Sequence, residues 1–152
     1  MLFFHILETN LMHHLIILVR HLRRIAAFEI STRTLVIILM VLGAWVATQK
    51  LEFPQVFSLN DKVIHIVVFF GFSVLMDLAI DRHPFWLWKG LPLLIYGAGI
   101  EILQYFSPER TFSMLDWLAD FFGIFFYFLL KIIILWWDSS KTKEVETKKS
   151  EL

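Results

Sequence analysis

The sequence has no cysteine, only four prolines and six glycines, and little charge: Asp, Glu, Lys and Arg make up 18% of its 152 residues. About a quarter is usual for a soluble domain. Without cysteine there is no disulfide framework, no thiolate zinc site and no cysteine nucleophile. Acidic and basic residues balance at fourteen each. The chain therefore lacks the basic excess with which nucleic-acid binders neutralise phosphates, and nucleic acid is not an expected partner. What it has in abundance is apolar surface, with 58% hydrophobic residues and a mean hydropathy of +0.68. The length fits one domain.

A bilayer-spanning helix needs roughly 20 apolar residues. Four stretches qualify, at about 34–51, 62–80, 86–105 and 115–137. The first is opened by Ser31 and Thr32, a candidate capping pair, and the second by Asp61 at its N-cap position. None shows the outer polar face that a water-soluble bundle would require. Tryptophans at 45, 86, 88, 117, 136 and 137 lie mostly near segment ends, as an interfacial aromatic belt would place them. Pro54, Pro84 and Pro108 fall in the connections, and short connections make sequential helices antiparallel. The expected fold is all-α: a polytopic membrane bundle of four transmembrane helices with an N-terminal amphipathic helix.

That amphipathic helix is read over residues 1–30, where Leu11, Leu15, Leu18, Leu22 and Ile25 recur at helical spacing beside Arg20 and Arg24. A fifth span over 2–19 would have to carry Glu8, Asn10 and three histidines. The bundle then occupies 31–137. Residues 138–152, rich in Lys, Glu, Ser and Thr, read as a disordered charged tail. Given these spans, eleven of the fourteen Lys and Arg residues fall on one side and three (Lys50, Lys62, Arg110) on the other. The positive-inside rule then puts both termini, and the tail, in the cytoplasm.

Ionisable residues within spans are costly and mark function by default. Here they gather on one rim. Asp61, Lys62 and His65 open the second span, Glu101 and Gln104 close the third, Arg110 lies in the following loop, and Asp116 and Asp120 open the fourth. Gly97-Glu101-Gln104 and Asp116-Asp120-Gly123 each follow i, i+4, i+7 spacing, so each set shares a helix face with a glycine below the polar pair. Small residues allow close helix approach, which points both polar pairs into the bundle. Capping accounts for Asp61 and Asp116 as well as function does. It explains neither Glu101 nor Asp120, and Glu101 near a helix C-terminus needs either a cation such as Arg110 or Lys62 or a proton that leaves it neutral. Asp77 and Asp81, near the opposite end, read as interfacial residues paired with Arg82 or Lys89, and Lys131 as a snorkelling cation.

Taken in order, Asp61-Lys62-x-x-His65, Glu101-x-x-Gln104, Arg110 and Asp116-x-x-x-Asp120-x-x-Gly123 resemble the VanZ-like family of bacterial membrane proteins, over roughly residues 34–137. That family usually carries Asn at the position of Asp120 and often glycine at that of Tyr127. The resemblance implies a cell-envelope location and an effect on susceptibility to the glycopeptide teicoplanin; it implies no reaction.

Two functional expectations follow. In the first, the rim is a non-enzymatic pocket for a membrane lipid or lipid-linked cell-wall precursor, with Lys62 and Arg110 on phosphate, His65, Glu101 and Gln104 on the remainder, and Asp116 and Asp120 orienting the cations. No cofactor or catalytic residue is assigned, and a homo-oligomer is compatible with the sequence. In the second, His65, Glu101, Asp116 and Asp120 hold a divalent cation in an enzyme acting on a lipid-linked phosphate or sugar. A transporter or proton relay would need polar residues through the core, where the second to fourth spans offer little beyond Ser73, Tyr96 and Tyr127.

Overall fold

The computed structural model describes residues 14–19, 21, 26–49, 61–107 and 113–150, without the side chains of Ala26, Asp61 and residues 141–150. All elements among them are helical: α1 (Ala26–Thr48), α2 (Asp61–Ala79), a π-helical turn (Trp86–Gly90) leading into α3 (Leu91–Tyr105), and α4 (Met114–Ser150). Residues 14–19 are helical as well. Most of the expected amphipathic segment, residues 1–13 in particular, lies outside the described residues.

Among the described residues three helices are long and apolar enough to cross a membrane: Ala27–Thr48, Lys62–Ala79 and Met114–Ser140. Only 11%, 33% and 22% of their apolar windows is buried within the protein. Side chains such as Ile37, Val41, Val67 and Ile133 therefore face outward, at 55–67% exposure. Such a surface suits hydrocarbon, where a helix satisfies its own backbone hydrogen bonds, and these features are those of a multi-pass membrane protein.

The helix boundaries differ from the sequence expectation at three places. α1 begins at Ala26, so residue 30 does not divide two elements and Ser31 and Thr32 cap nothing. The Thr32 and Thr34 hydroxyls instead bond back to the carbonyls of Phe28 (2.7 Å) and Ile30 (2.9 Å), a route by which threonine sits within a helix. The stretch 86–105 is helical but in two parts, because Pro92 in the first turn of α3 has no N–H to offer Trp88. The turn widens, and the Leu91 N–H reaches the Trp86 carbonyl. At the far end, α4 runs on to Ser150 through the stretch that composition marks as a disordered tail. Lys and Glu are good helix formers, and extending an existing helix avoids the cost of nucleation.

Cross-helix contacts fix the relative directions. Residues 62, 65 and 77 of α2 meet 116, 120 and 131 of α4, so the two helices run parallel. Met40 and Ala47 of α1 likewise meet Tyr96 and Gln104 of α3. Directions thus alternate along the chain. A core of Phe69, Phe72, Met76, Leu93 and Ile124 fills the interior.

The α2 and α4 backbones come close together at Gly123. A Cβ there would strike the Ile66 carbonyl oxygen and come within 3.0 Å of the Phe70 nitrogen, both backbone atoms that cannot swing aside. Gly123→Ala is expected to cost about 1–3 kcal/mol through overpacking, seen as a lowered Tm of the detergent-purified protein. Gly71→Ala, with nothing within 4 Å of the new methyl, serves as the control and should leave Tm unchanged.

Candidate functional site: a polar rim on three helices

At the start of α2, Lys62 donates to Asp116 Oδ1 at 3.1 Å, and one turn deeper His65 Nδ1 lies 2.7 Å from Asp120 Oδ1. Both pairs cross from α2 to α4, because i, i+3 and i, i+4 positions on facing stripes stay in step when the helices run parallel. Exposure falls in the same order. Lys62 is half exposed, Asp116 nearly buried, and Asp120 only 1% exposed. The His65 ring stacks on Phe69, with centroids 6.5 Å apart and planes 7° from parallel.

From α3, the fully buried Glu101 reaches the same corner. Its Oε2 accepts the Ser113 N–H at 2.9 Å, while the Ser113 hydroxyl accepts the Asp116 N–H at 3.3 Å and so caps α4. Ser113-x-x-Asp116 has capping-box spacing, in which the fourth residue would bond back to the N-cap N–H. Here Glu101 takes that bond from another helix, leaving Asp116 to Lys62. Glu101 thus meets a backbone N–H rather than Lys62, and its other expected partner, Arg110, lies outside the described residues. Capping accounts for one Glu101 oxygen. The other, Glu101 Oε1, is buried without a hydrogen-bond partner, as is Asp120 Oδ2. One ligand atom each of His65, Glu101 and Asp116 lies within 4.8 Å of the others.

The remaining expected residues divide. Gln104 is buried but donates to the Ala47 carbonyl of α1 at 3.3 Å, away from the acidic corner. Gly97 sits against the Asp120 carboxylate and Phe69, where a Cβ would leave 3.2 Å to Asp120 Cγ. The Asp61 side chain and Arg110 lie outside the described residues. Lys62, His65, Glu101, Asp116 and Asp120 are brought together.

A second polar cluster, at the other end of the seam, was only partly legible. Asp77 is buried, not interfacial, and accepts from Lys89 (2.5 Å), from Lys131 to both oxygens (2.7 and 2.9 Å) and from the Tyr127 hydroxyl (2.8 Å). Lys89 alone matches the partners expected for it; Lys131 turns inward rather than snorkelling. Lys89 is fully buried in the π-helical turn, and both lysine nitrogens stand within 6 Å of the Phe85 ring centroid, at 5.9 and 5.7 Å. The missed signal was spacing: Lys131 follows Gly123 and Tyr127 at i+8 and i+4, on the stripe that faces α2.

Between the two clusters lie Phe69, Phe72 and Tyr96, in mutual ring contact at 5.8–6.1 Å. The Tyr96 hydroxyl and that of Ser73 are spent on backbone carbonyls, of Met40 and Phe69. This aromatic layer gives a proton or ion no continuous polar path among the described residues.

Comparison with protein-family models, with curated proteins and with solved structures returns no match.

Removing Asp77 leaves two buried ammonium groups facing each other. Asp77→Ala should cost about 3–5 kcal/mol, the range for breaking a buried ion pair, and Lys131→Met distinctly less, since Lys89 still neutralises Asp77. Thermal melts of the two variants in detergent order them, and equal Tm values would contradict the buried arrangement.

Proposed function

We propose that this chain is a four-span integral membrane protein of the VanZ-like kind whose outward rim binds the phosphate-bearing headgroup of an envelope lipid or lipid-linked cell-wall precursor. The observation that carries this reading is the convergence of Lys62, His65, Glu101, Asp116 and Asp120 from three helices at one end of the bundle. Lys62, half exposed and oriented by Asp116, is placed to meet a phosphate with a charge-assisted bond. His65, fixed by Asp120, offers the next polar group inward.

Four crossings follow if the helical stretch 86–105, whose 20 residues span about 30 Å at helical rise, is the third. Its antiparallel course between α2 and α4 supports that count. With four crossings the Lys and Arg bias directs the rim outward and both termini inward. Binding a lipid-linked precursor at that face would alter what reaches the surface, and with it glycopeptide susceptibility.

We read the rim as a binding site, with the Ser113 hydroxyl beside the acids used to cap α4. Mass spectrometry of lipids retained by the purified protein tests this. Wild type should keep a phosphate-bearing lipid, and Lys62→Ala and Arg110→Ala should each reduce it about tenfold, the loss of one charge-assisted bond. An unchanged lipid profile in both variants rejects the headgroup site.

A further inference from the structure

We infer that the rim holds a divalent cation, with His65, Glu101 and Asp116 as ligands and Asp120 as the carboxylate behind His65. The inference rests on the headgroup reading above and gives it a chemistry: the ion would be the group that meets the phosphate.

The geometry comes first. Three donors, one from each of α2, α3 and α4, lie within 4.8 Å of one another. Donors sharing an ion at about 2.0–2.2 Å stand at most roughly 4.4 Å apart, so modest side-chain rotation closes the set. The three residues are far apart in sequence, and the convergence is a product of the fold.

Independent of that spacing is a bare oxygen on a ligand. Glu101 Oε1 is buried with no hydrogen-bond partner, on a residue that is 0% exposed; Asp120 Oδ2, also without a partner, lies against Gly97 and is not among the ligands. A buried polar atom left unsatisfied costs about 1–3 kcal/mol, and more when it belongs to a charged group. Such atoms in a folded protein call for an explanation, an ion being one. Elsewhere in this fold buried polar groups are met, as Asp77 is by four donor contacts.

Charge makes the same demand. Among the described side chains of the rim there are three carboxylates and one lysine, with His65 able to remain neutral. One divalent cation balances them. Asp116 gives Oδ1 to Lys62 and keeps a second oxygen for the ion.

His65 supplies the last element. A hydrogen bond from Nδ1 to Asp120 puts the imidazole proton on Nδ1 and its lone pair on Nε2, the carboxylate–histidine–metal relation that fixes ring orientation and raises ligand basicity. One nitrogen and two carboxylate ligands suit Zn²⁺ or Mn²⁺ better than Ca²⁺, which takes six to eight oxygens. Three protein ligands leave coordination positions open for a phosphate oxygen.

The test uses the full chain in detergent, stripped with EDTA and titrated separately with Zn²⁺ and Mn²⁺ by equilibrium dialysis. One ion per chain is expected for at least one metal. Affinity should fall at least tenfold in His65→Gln and Glu101→Gln, and about 10–100-fold in Asp120→Asn, which removes the group behind the ligand. Glu29→Gln, at an exposed pair with Arg33 elsewhere, should bind as wild type. If the ligand variants misfold, pulsed electron paramagnetic resonance of Mn²⁺-loaded wild type still decides, because a bound imidazole gives ¹⁴N modulation. Less than a tenth of an ion per chain for both metals, wild-type affinity in folded His65→Gln and Glu101→Gln, or an Mn²⁺ spectrum without nitrogen would each overturn the cation site. Phosphate-lipid retention by the stripped protein that metal does not alter would overturn the ion's role at the headgroup while leaving the headgroup site standing. Stoichiometric metal with no lipid retained supports the ion and ends the lipid reading instead.

Discussion

A charge carried into hydrocarbon must find its counter-charge inside the protein, because neither lipid nor water will supply it there. In this chain that demand falls on the seam between α2 and α4. Among the described residues two ion pairs, Lys62–Asp116 and Lys131–Asp77, and the His65–Asp120 hydrogen bond cross it. Lipid-facing apolar side chains impose little register, since one helical face looks to lipid much like another. Paired charges do impose it: sliding α4 by one residue would separate all three contacts at once. Gly123 allows the two backbones to come close enough for the pairs to form.

The two ends of that seam are satisfied to different degrees. At Asp77 four donor contacts converge on two oxygens, which uses the full acceptor capacity of a carboxylate. A group so occupied has no capacity left for a ligand; it ties α2, α4 and the π-helical turn together. At the rim, buried oxygens of Glu101 and Asp120 are left over, Lys62 stands half in the open, and acids outnumber cations. The aromatic layer of Phe69, Phe72 and Tyr96 separates the two. Among the described residues no polar path joins the two clusters.

How much of this can be read from the residues alone depends on what kind of information each feature needs. Hydropathy located the helices, since 18 or more apolar residues have few other uses, and α2 lies within a residue of its expected limits. Helical spacing put Glu101 and Asp120 inward, with Gly97 and Gly123 below them. Pairing was only partly legible, because it depends on which stripes face one another. Lys62 on Asp116 and Lys89 on Asp77 met the expectation, but Glu101 bonds to the Ser113 backbone rather than to Lys62, Gln104 turns to α1, and Lys131 turns inward to Asp77. Local competition also escaped the pattern. The threonines near the start of α1 bond backward within the helix, and Pro92 opens a π-helical turn that brings Lys89 into the core.

The pairing of His65 with Asp120 joins the packing of the seam to the chemistry of the rim, and the protonation of that imidazole reports on it directly. ¹⁵N NMR of the metal-free protein labelled at histidine, with the His65 signals identified by their loss in His65→Gln, reads which ring nitrogen carries the proton. The pairing described here requires a hydrogen-bonded proton on Nδ1. A His65 protonated on Nε2 alone, with the same ¹⁵N shifts in Asp120→Asn as in wild type, would contradict it.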